Sequence, residues 1–157
     1  MNTHEVEILL VDDSPDDVEL TLHALRSENL ANHVFVARDG EEALDFLFCS
    51  GPHAGRSFDR SPKLVLLDLK LPKVDGMEVL TKIKGDDRTK HIPVVLMTSS
   101  KEERDRVNGY TLGVNSYLQK PVDFGEFRKM VTLAGLYWLV TNQPPLAAKS
   151  QGVGQVK

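Results

Sequence analysis

Five residues have the side-chain chemistry to build one ionic site: Asp12, Asp13, Asp68, Thr98 and Lys120. Four of them directly follow a short apolar run, VEILLV before Asp12-Asp13, LVLL before Asp68 and IPVVLM before Thr98; Lys120 comes one residue after the brief SYL. Three carboxylates drawn within a few ångström repel one another and rise in pKa unless a cation sits between them. A hard divalent ion with oxygen ligands meets that need. Mg²⁺ fits best, because it is commonly held by one or two carboxylates together with waters and phosphate oxygens. For an isolated acidic pair such as Asp12-Asp13 the alternative is a charge effect at a helix N-terminus. The recurrence of polar groups at the ends of several apolar runs favours a shared site.

Those positions converge only if the apolar runs are strands of one sheet. Val6 to Val11 reads as a strand buried on both faces, followed by Ser14 as a helix cap, Pro15 as the first helical residue and a stripe of Val18, Leu22 and Leu25, with Leu30 beyond. His33 to Ala37 is a second extended segment, and after Asp39-Gly40 a helix presents Ala43, Leu44, Leu47 and Phe48. Ser50 to Pro62 holds two Gly, two Pro and three Ser without a period and reads as a loop. Leu64 to Leu67, Ile92 to Met97 and Ser116 to Leu118 supply three more strands. Helices are predicted over Gly76 to Lys84 (Met77, Val79, Leu80, Ile83), Lys101 to Leu112 and Asp123 to Val140. Five strands alternating with five helices predict an α/β fold with a parallel sheet and helices on both faces. In such sheets ligands sit beyond the carboxyl ends of the strands.

The chain has 157 residues, 41% apolar and 27% charged, with 19 Lys and Arg against 23 Asp and Glu. That fits one globular domain with a tail and excludes wholesale electrostatic binding of nucleic acid. A lone cysteine, Cys49, allows neither an internal disulfide nor a thiolate zinc site, and is expected to be a buried apolar residue. No apolar run approaches the roughly 20 residues that span a bilayer, and the start MNTHEVEILLVDDSPDD lacks the basic region of a signal peptide. A soluble, cytoplasmic protein that does not enter membranes is expected. His4, His23, His33, His53 and His91 show no metal-like spacing and read as solvent-facing or capping side chains.

The segments ILLVDDSPDD (8–17), LVLLDLKLPKVDG (64–76), PVVLMTSS (93–100) and YLQKPVD (117–123) occur in one order and cover almost all of residues 5–140. Together they resemble the receiver domain of two-component response regulators. The resemblance implies a flavodoxin-like (βα)5 three-layer sandwich with a five-stranded parallel sheet. It implies that Asp68 accepts a phosphoryl group from a histidine kinase, and that Asp12 and Asp13 hold Mg²⁺, Asp13 more directly and Asp12 mainly through water. Asp68 and the backbone carbonyl of Lys70 would complete the protein ligands. Thr98 would bond the phosphoryl group with Ser99 as its small neighbour, Lys120 would pair with it, and Tyr117 would be the switch aromatic that rotates inward as Thr98 moves. The Lys120-Pro121 bond is expected to be cis, with Leu71-Pro72 and Gly76 shaping the loop after Asp68. Physical chemistry is consistent with these roles: a carboxylate can act as the nucleophile, and phosphoryl transfer is aided chiefly by positioning and charge neutralisation. The acyl phosphate adds charge and acceptor oxygens, and only such a differential contact can shift a conformational equilibrium.

SPDDVELTLHAL, HIPVVLMTSS, KPVDF and the later YWL resemble single-domain regulators that partner with phytochrome-type histidine kinases. A sensor kinase of that type is the expected partner, with a downstream histidine phosphotransfer protein as a further one. The expected organisation is a receiver over 1–140, including the long loop 50–62, and a flexible tail over 141–157 too short for an output domain. Phe127, Met130, Val131, Ala134 and Trp138 form one helical stripe, whereas Leu133, Leu136, Tyr137 and Val140 fall largely off it. This favours a homodimer through the fourth helix, fifth strand and last helix; the alternative is packing of these residues beneath the chain's own tail. Three other functions compete with this reading. A phosphatase of the haloacid-dehalogenase type wants an acid where Lys70 stands, a degenerate receiver would act only as a scaffold, and a flavin carrier would need a Ser/Thr/Gly-rich loop after the first strand.

Overall fold

The computed structural model describes residues 6–27, 33–99 and 116–133. In these residues β1 (Ile8–Val11), β2 (Val34–Ala37), β3 (Leu64–Asp68), β4 (Val94–Thr98) and β5 (Ser116–Gln119) form one parallel sheet in the order β2-β1-β3-β4-β5. The described helices are α1 (Pro15–Arg26), α2 (Gly40–Leu47), α3 (Gly76–Lys84) and α4 (Phe124–Leu133). Leu30, the predicted helix over Lys101 to Leu112, residues 134–140 of the last helix and the tail 141–157 lie outside the described residues.

Every residue of β1, β3 and β4 is buried, which explains their continuous apolar runs: parallel strands are covered on both faces by crossover helices. Alternate side chains then serve opposite layers. Ile8, Leu10, Leu66 and Met97 pack with Val18 and Leu25 of α1 and with Phe127 and Met130 of α4. Leu9, Val11, Leu67 and Leu96 pack with Phe46 of α2 and with Val79, Leu80 and Ile83 of α3.

Side chains fix the helix starts. Ser14 Oγ accepts from the Asp17 amide at 3.3 Å, Asp39 from Glu42 at 2.7 Å, Asp75 from Glu78 at 3.1 Å and Asp123 from Glu126 at 2.7 Å. Asp123 is therefore a cap, one residue outside the helix it was expected to begin. β1 starts two residues later than predicted, while β3 and β4 extend far enough to include Asp68 and Thr98.

The structure corrects three expectations around α2. Phe46, outside the predicted stripe, is buried with Ala43 and Leu47, while Leu44 and Phe48 are half-buried against the same core. Cys49 is half-buried, and its φ of 55° lies in the left-handed region. His53 is half-buried, meeting Phe35 and Phe46 in T-shaped contacts at 5.3 and 5.2 Å. The loop over residues 50–62 contains two short 3-10 turns, Gly51–His53 and Phe58–Arg60. Arg56 ties it down, donating to the carbonyls of Phe46 and Arg60, with its guanidinium 3.6 Å from the Phe46 ring centroid.

Candidate functional site

The register builds the site. Val11 opposite Leu67, Asp68 opposite Met97 and Thr98 opposite Gln119 bring the carboxyl ends of β1, β3, β4 and β5 to one edge of the sheet. Asp12, just past β1, is fully buried; its amide donates to the Ala37 carbonyl at 3.0 Å and its Oδ1 accepts from the Ser14 amide at 3.0 Å. Asp13 is exposed. Asp68 and Thr98 close their strands and are both buried. Lys120 follows β5, and its amide donates to the Thr98 carbonyl at 2.8 Å.

Carboxylate oxygens of Asp12, Asp13 and Asp68 lie within 4.8 Å of one another. Lys120 Nζ stands 2.9 Å from Asp68 Oδ2 and 3.1 Å from Asp12 Oδ2. It also lies 2.9 Å from Asp17 Oδ2, a partner that the sequence reading did not single out. Three carboxylates thus share one ammonium. Burial pushes the Asp68 carboxyl up to about 6, against the hydrogen bond and charge of Lys120; the Asp12 charge pushes the same way as burial, and the Lys70 amide, at 3.3 Å from Asp68 Oδ1, opposes it. For Lys120 burial works against the charged form, but Asp17, Asp68 and Asp12 together outweigh it and hold the ammonium well above its usual range.

Asp12 Oδ2 gives a direct test of whether a cation fits. This buried oxygen attracts Lys120 by charge yet has no hydrogen-bond donor, an arrangement that is costly in a buried setting. Beside it stand two further carboxylates, one open to solvent. The donor set is all oxygen and carries excess negative charge, which suits a hard divalent ion such as Mg²⁺.

The loop after Asp68 is closely packed. Gly76 donates its amide to the Leu69 carbonyl at 3.0 Å, and a Cβ at this position would run into the Asp68 carbonyl oxygen. The Lys120-Pro121 bond is cis, as expected. Tyr117 is half-buried in β5 and packs on the layer formed by α2 and α3. Thr98 and Lys120 thus join the three aspartates at one edge, and Tyr117 lies along the adjoining strand. Among the described residues no helix is long and apolar enough to cross a membrane.

Comparison with known proteins agrees with this geometry. The response regulator receiver domain family matches residues 8–132. The solved bacteriophytochrome response regulator AtBRR is 55% identical, with a TM-score of 0.78 over 85% of this chain and 94% of that one. Response regulator Rcp1 of Synechocystis sp. is 40% identical over 140 residues, 89% of this chain and 93% of Rcp1; its Mn(2+)-bound crystal structure aligns with a TM-score of 0.68, at 37% identity over 89% of this chain and 99% of that one. The probable methanogenesis regulatory protein FilR2 of Methanothrix harundinacea is 41% identical over 138 residues, 88% of this chain and 86% of FilR2. The five-stranded parallel sheet is that of the flavodoxin-like receiver fold. With an acidic pocket at the strand ends and a match running from residue 8 to residue 132, the chain belongs to the response regulator receiver domain family.

Proposed function

We propose that this receiver takes a phosphoryl group on Asp68 from the phosphohistidine of a sensor kinase and signals through the resulting change in its own surface. The observation that carries the proposal is the placement of Asp68: buried at the end of β3, in ionic contact with Lys120, and within 4.8 Å of the Asp12 and Asp13 carboxylates. An ionised Asp68 oxygen attacks phosphorus in line; the oxygen–phosphorus bond forms as the phosphorus–nitrogen bond breaks, and its electron pair stays on the imidazole. Mg²⁺, held by Asp12, Asp13, Asp68 and the Lys70 carbonyl, would supply charge neutralisation on the transferring group. Lys120 and the Thr98 hydroxyl then bond phosphoryl oxygens that were absent before, and Tyr117 turns inward behind Thr98.

The partner is a phytochrome-type histidine kinase, with a histidine phosphotransfer protein downstream. The 55% identity to a bacteriophytochrome response regulator supports this partner. The protein works in the cytoplasm as a phosphoacceptor rather than as an enzyme acting on other substrates, with the receiver over 1–140. It pairs as a homodimer through the fourth predicted helix, β5 and the last helix, in keeping with the apolar residues that fall off that helix's inner stripe. Sedimentation showing a concentration-independent monomer with and without phosphorylation would remove the dimer from the account.

Asp68→Asn tests the core of the proposal. Incubated with a phosphorylated kinase, the wild type is expected to take up label stoichiometrically and the variant none, with its circular dichroism unchanged. Stoichiometric labelling of a folded Asp68→Asn protein would overturn the assignment.

A further inference from the structure

We infer that Asp17, on the first turn of α1, is a positioning residue that competes with the phosphoryl group for Lys120. This inference rests on Asp68 as the phosphoryl acceptor. An ammonium has three donors, and Lys120 Nζ already faces three carboxylate oxygens, at 2.9 Å (Asp17), 2.9 Å (Asp68) and 3.1 Å (Asp12). Asp12 Oδ2 is held by charge without a hydrogen bond, and a phosphoryl oxygen that joins this arrangement competes with the carboxylates for the one ammonium. Asp68 remains as the attachment point, and Asp12 is fully buried. Asp17 keeps 32% of its side chain exposed, so water can replace the ammonium there with the least desolvation.

Position and charge point the same way. Ser14 caps the Asp17 amide at 3.3 Å and fixes this turn of α1 against the site. Through the shared ammonium, the Asp17 carboxylate lies within about 6 Å of Asp68 Oδ2, where a negative charge repels an incoming anion and attracts a divalent cation. Asp17 therefore has opposite effects on the two ligands of the site. It strengthens Mg²⁺ binding and weakens retention of the phosphoryl group, by holding Lys120 back and by direct repulsion.

Asp17→Asn, which keeps the shape and removes the charge, is the test. Mg²⁺ alone is titrated by calorimetry, and beryllofluoride, a phosphoryl mimic that coordinates a carboxylate oxygen, is titrated at saturating Mg²⁺ by fluorine NMR. The variant is expected to bind Mg²⁺ about 3-fold more weakly and beryllofluoride about 5-fold more tightly than the wild type. Asp17→Ser removes the same charge with a different shape and is expected to give the same pair of shifts, whereas Asp17→Glu stays within about 2-fold of the wild type for both ligands. Shifts of both ligands in one direction, or in neither, would overturn the competition and leave Asp68 as acceptor. Failure of the wild-type protein to bind beryllofluoride would overturn the Asp68 assignment and this inference with it.

Discussion

At the carboxyl ends of the strands, three carboxylates crowd a single ammonium, one buried aspartate oxygen lacks a donor, and Asp68 is pushed up to about 6 by burial. Toward the other end of the sheet, where α2 leads into β3 and α3 into β4, the groups satisfy one another. Phe35 and Phe46 stack at 4.4 Å, His53 meets both edge-on, and Arg56 covers Phe46. Arg88, held by both oxygens of Asp86, lies 4.4 Å from the centre of Phe58, which in turn packs edge-on to Phe48. One end is held together without any ligand. The other gathers repelling groups that a divalent ion and an added anion would reconcile, so its electrostatic strain marks where the molecule can be switched.

Chelating divalent ions strikes only the carboxyl end and should have the largest effect. Phosphotransfer is expected to fall on the order of 100-fold or more in EDTA and to recover on titration with Mg²⁺; an unchanged rate would break the contrast between the ends. Phe46→Ala strikes the opposite end. Urea denaturation should show a loss of about 3 kcal/mol, while the Mg²⁺ affinity measured by calorimetry stays at the wild-type value.

A third prediction concerns pH. Folded Asp68 titrates at about 6 and its unfolded counterpart near the ordinary aspartate value, so between these the folded state binds more protons. Stability of the metal-free protein is therefore greatest below the unfolded value and declines, on the order of 2 kcal/mol, as pH rises through about 6. Saturating Mg²⁺ or Asp68→Asn should flatten that slope in thermal denaturation followed across pH; a slope untouched by either would locate its source elsewhere. The smallest effect is expected from Arg56→Ala, about 1 kcal/mol, seen chiefly as faster proteolytic cleavage within residues 50–62.

The difference between the ends also decided what could be read from the sequence. Buried parallel strands are continuous apolar runs, so the residues that end them stand out, and Asp12, Asp68, Thr98 and Lys120 were legible for that reason. Ser14 announced a helix start through short-range capping chemistry, whereas the caps at Asp39 and Asp75 emerged only with the structure. The pairing of Asp17 with Lys120 was not legible, because it joins α1 to the loop after β5 across most of the chain; in isolation Asp17 looks like any acid in a first helical turn. Loop 50–62 was equally opaque. Its order comes from Arg56, His53 and Phe58 meeting partners on α2, β2 and the α3–β4 connection, and contacts of that kind leave no period. On α2 the predicted stripe took in Leu44 and Phe48, which pack half-buried against the core, and passed over Phe46, which with Ala43 and Leu47 forms the buried i, i+3, i+4 stripe.

The central claim is that the strained end of the sheet carries the modification, on one particular carboxylate. Borohydride reduces an aspartyl phosphate to homoserine, so reduction of the phosphorylated protein followed by peptide mass mapping reads the modified position directly. Homoserine at position 68 alone is the predicted result. Homoserine at position 12, 13 or 17 with an unmodified Asp68 would contradict it.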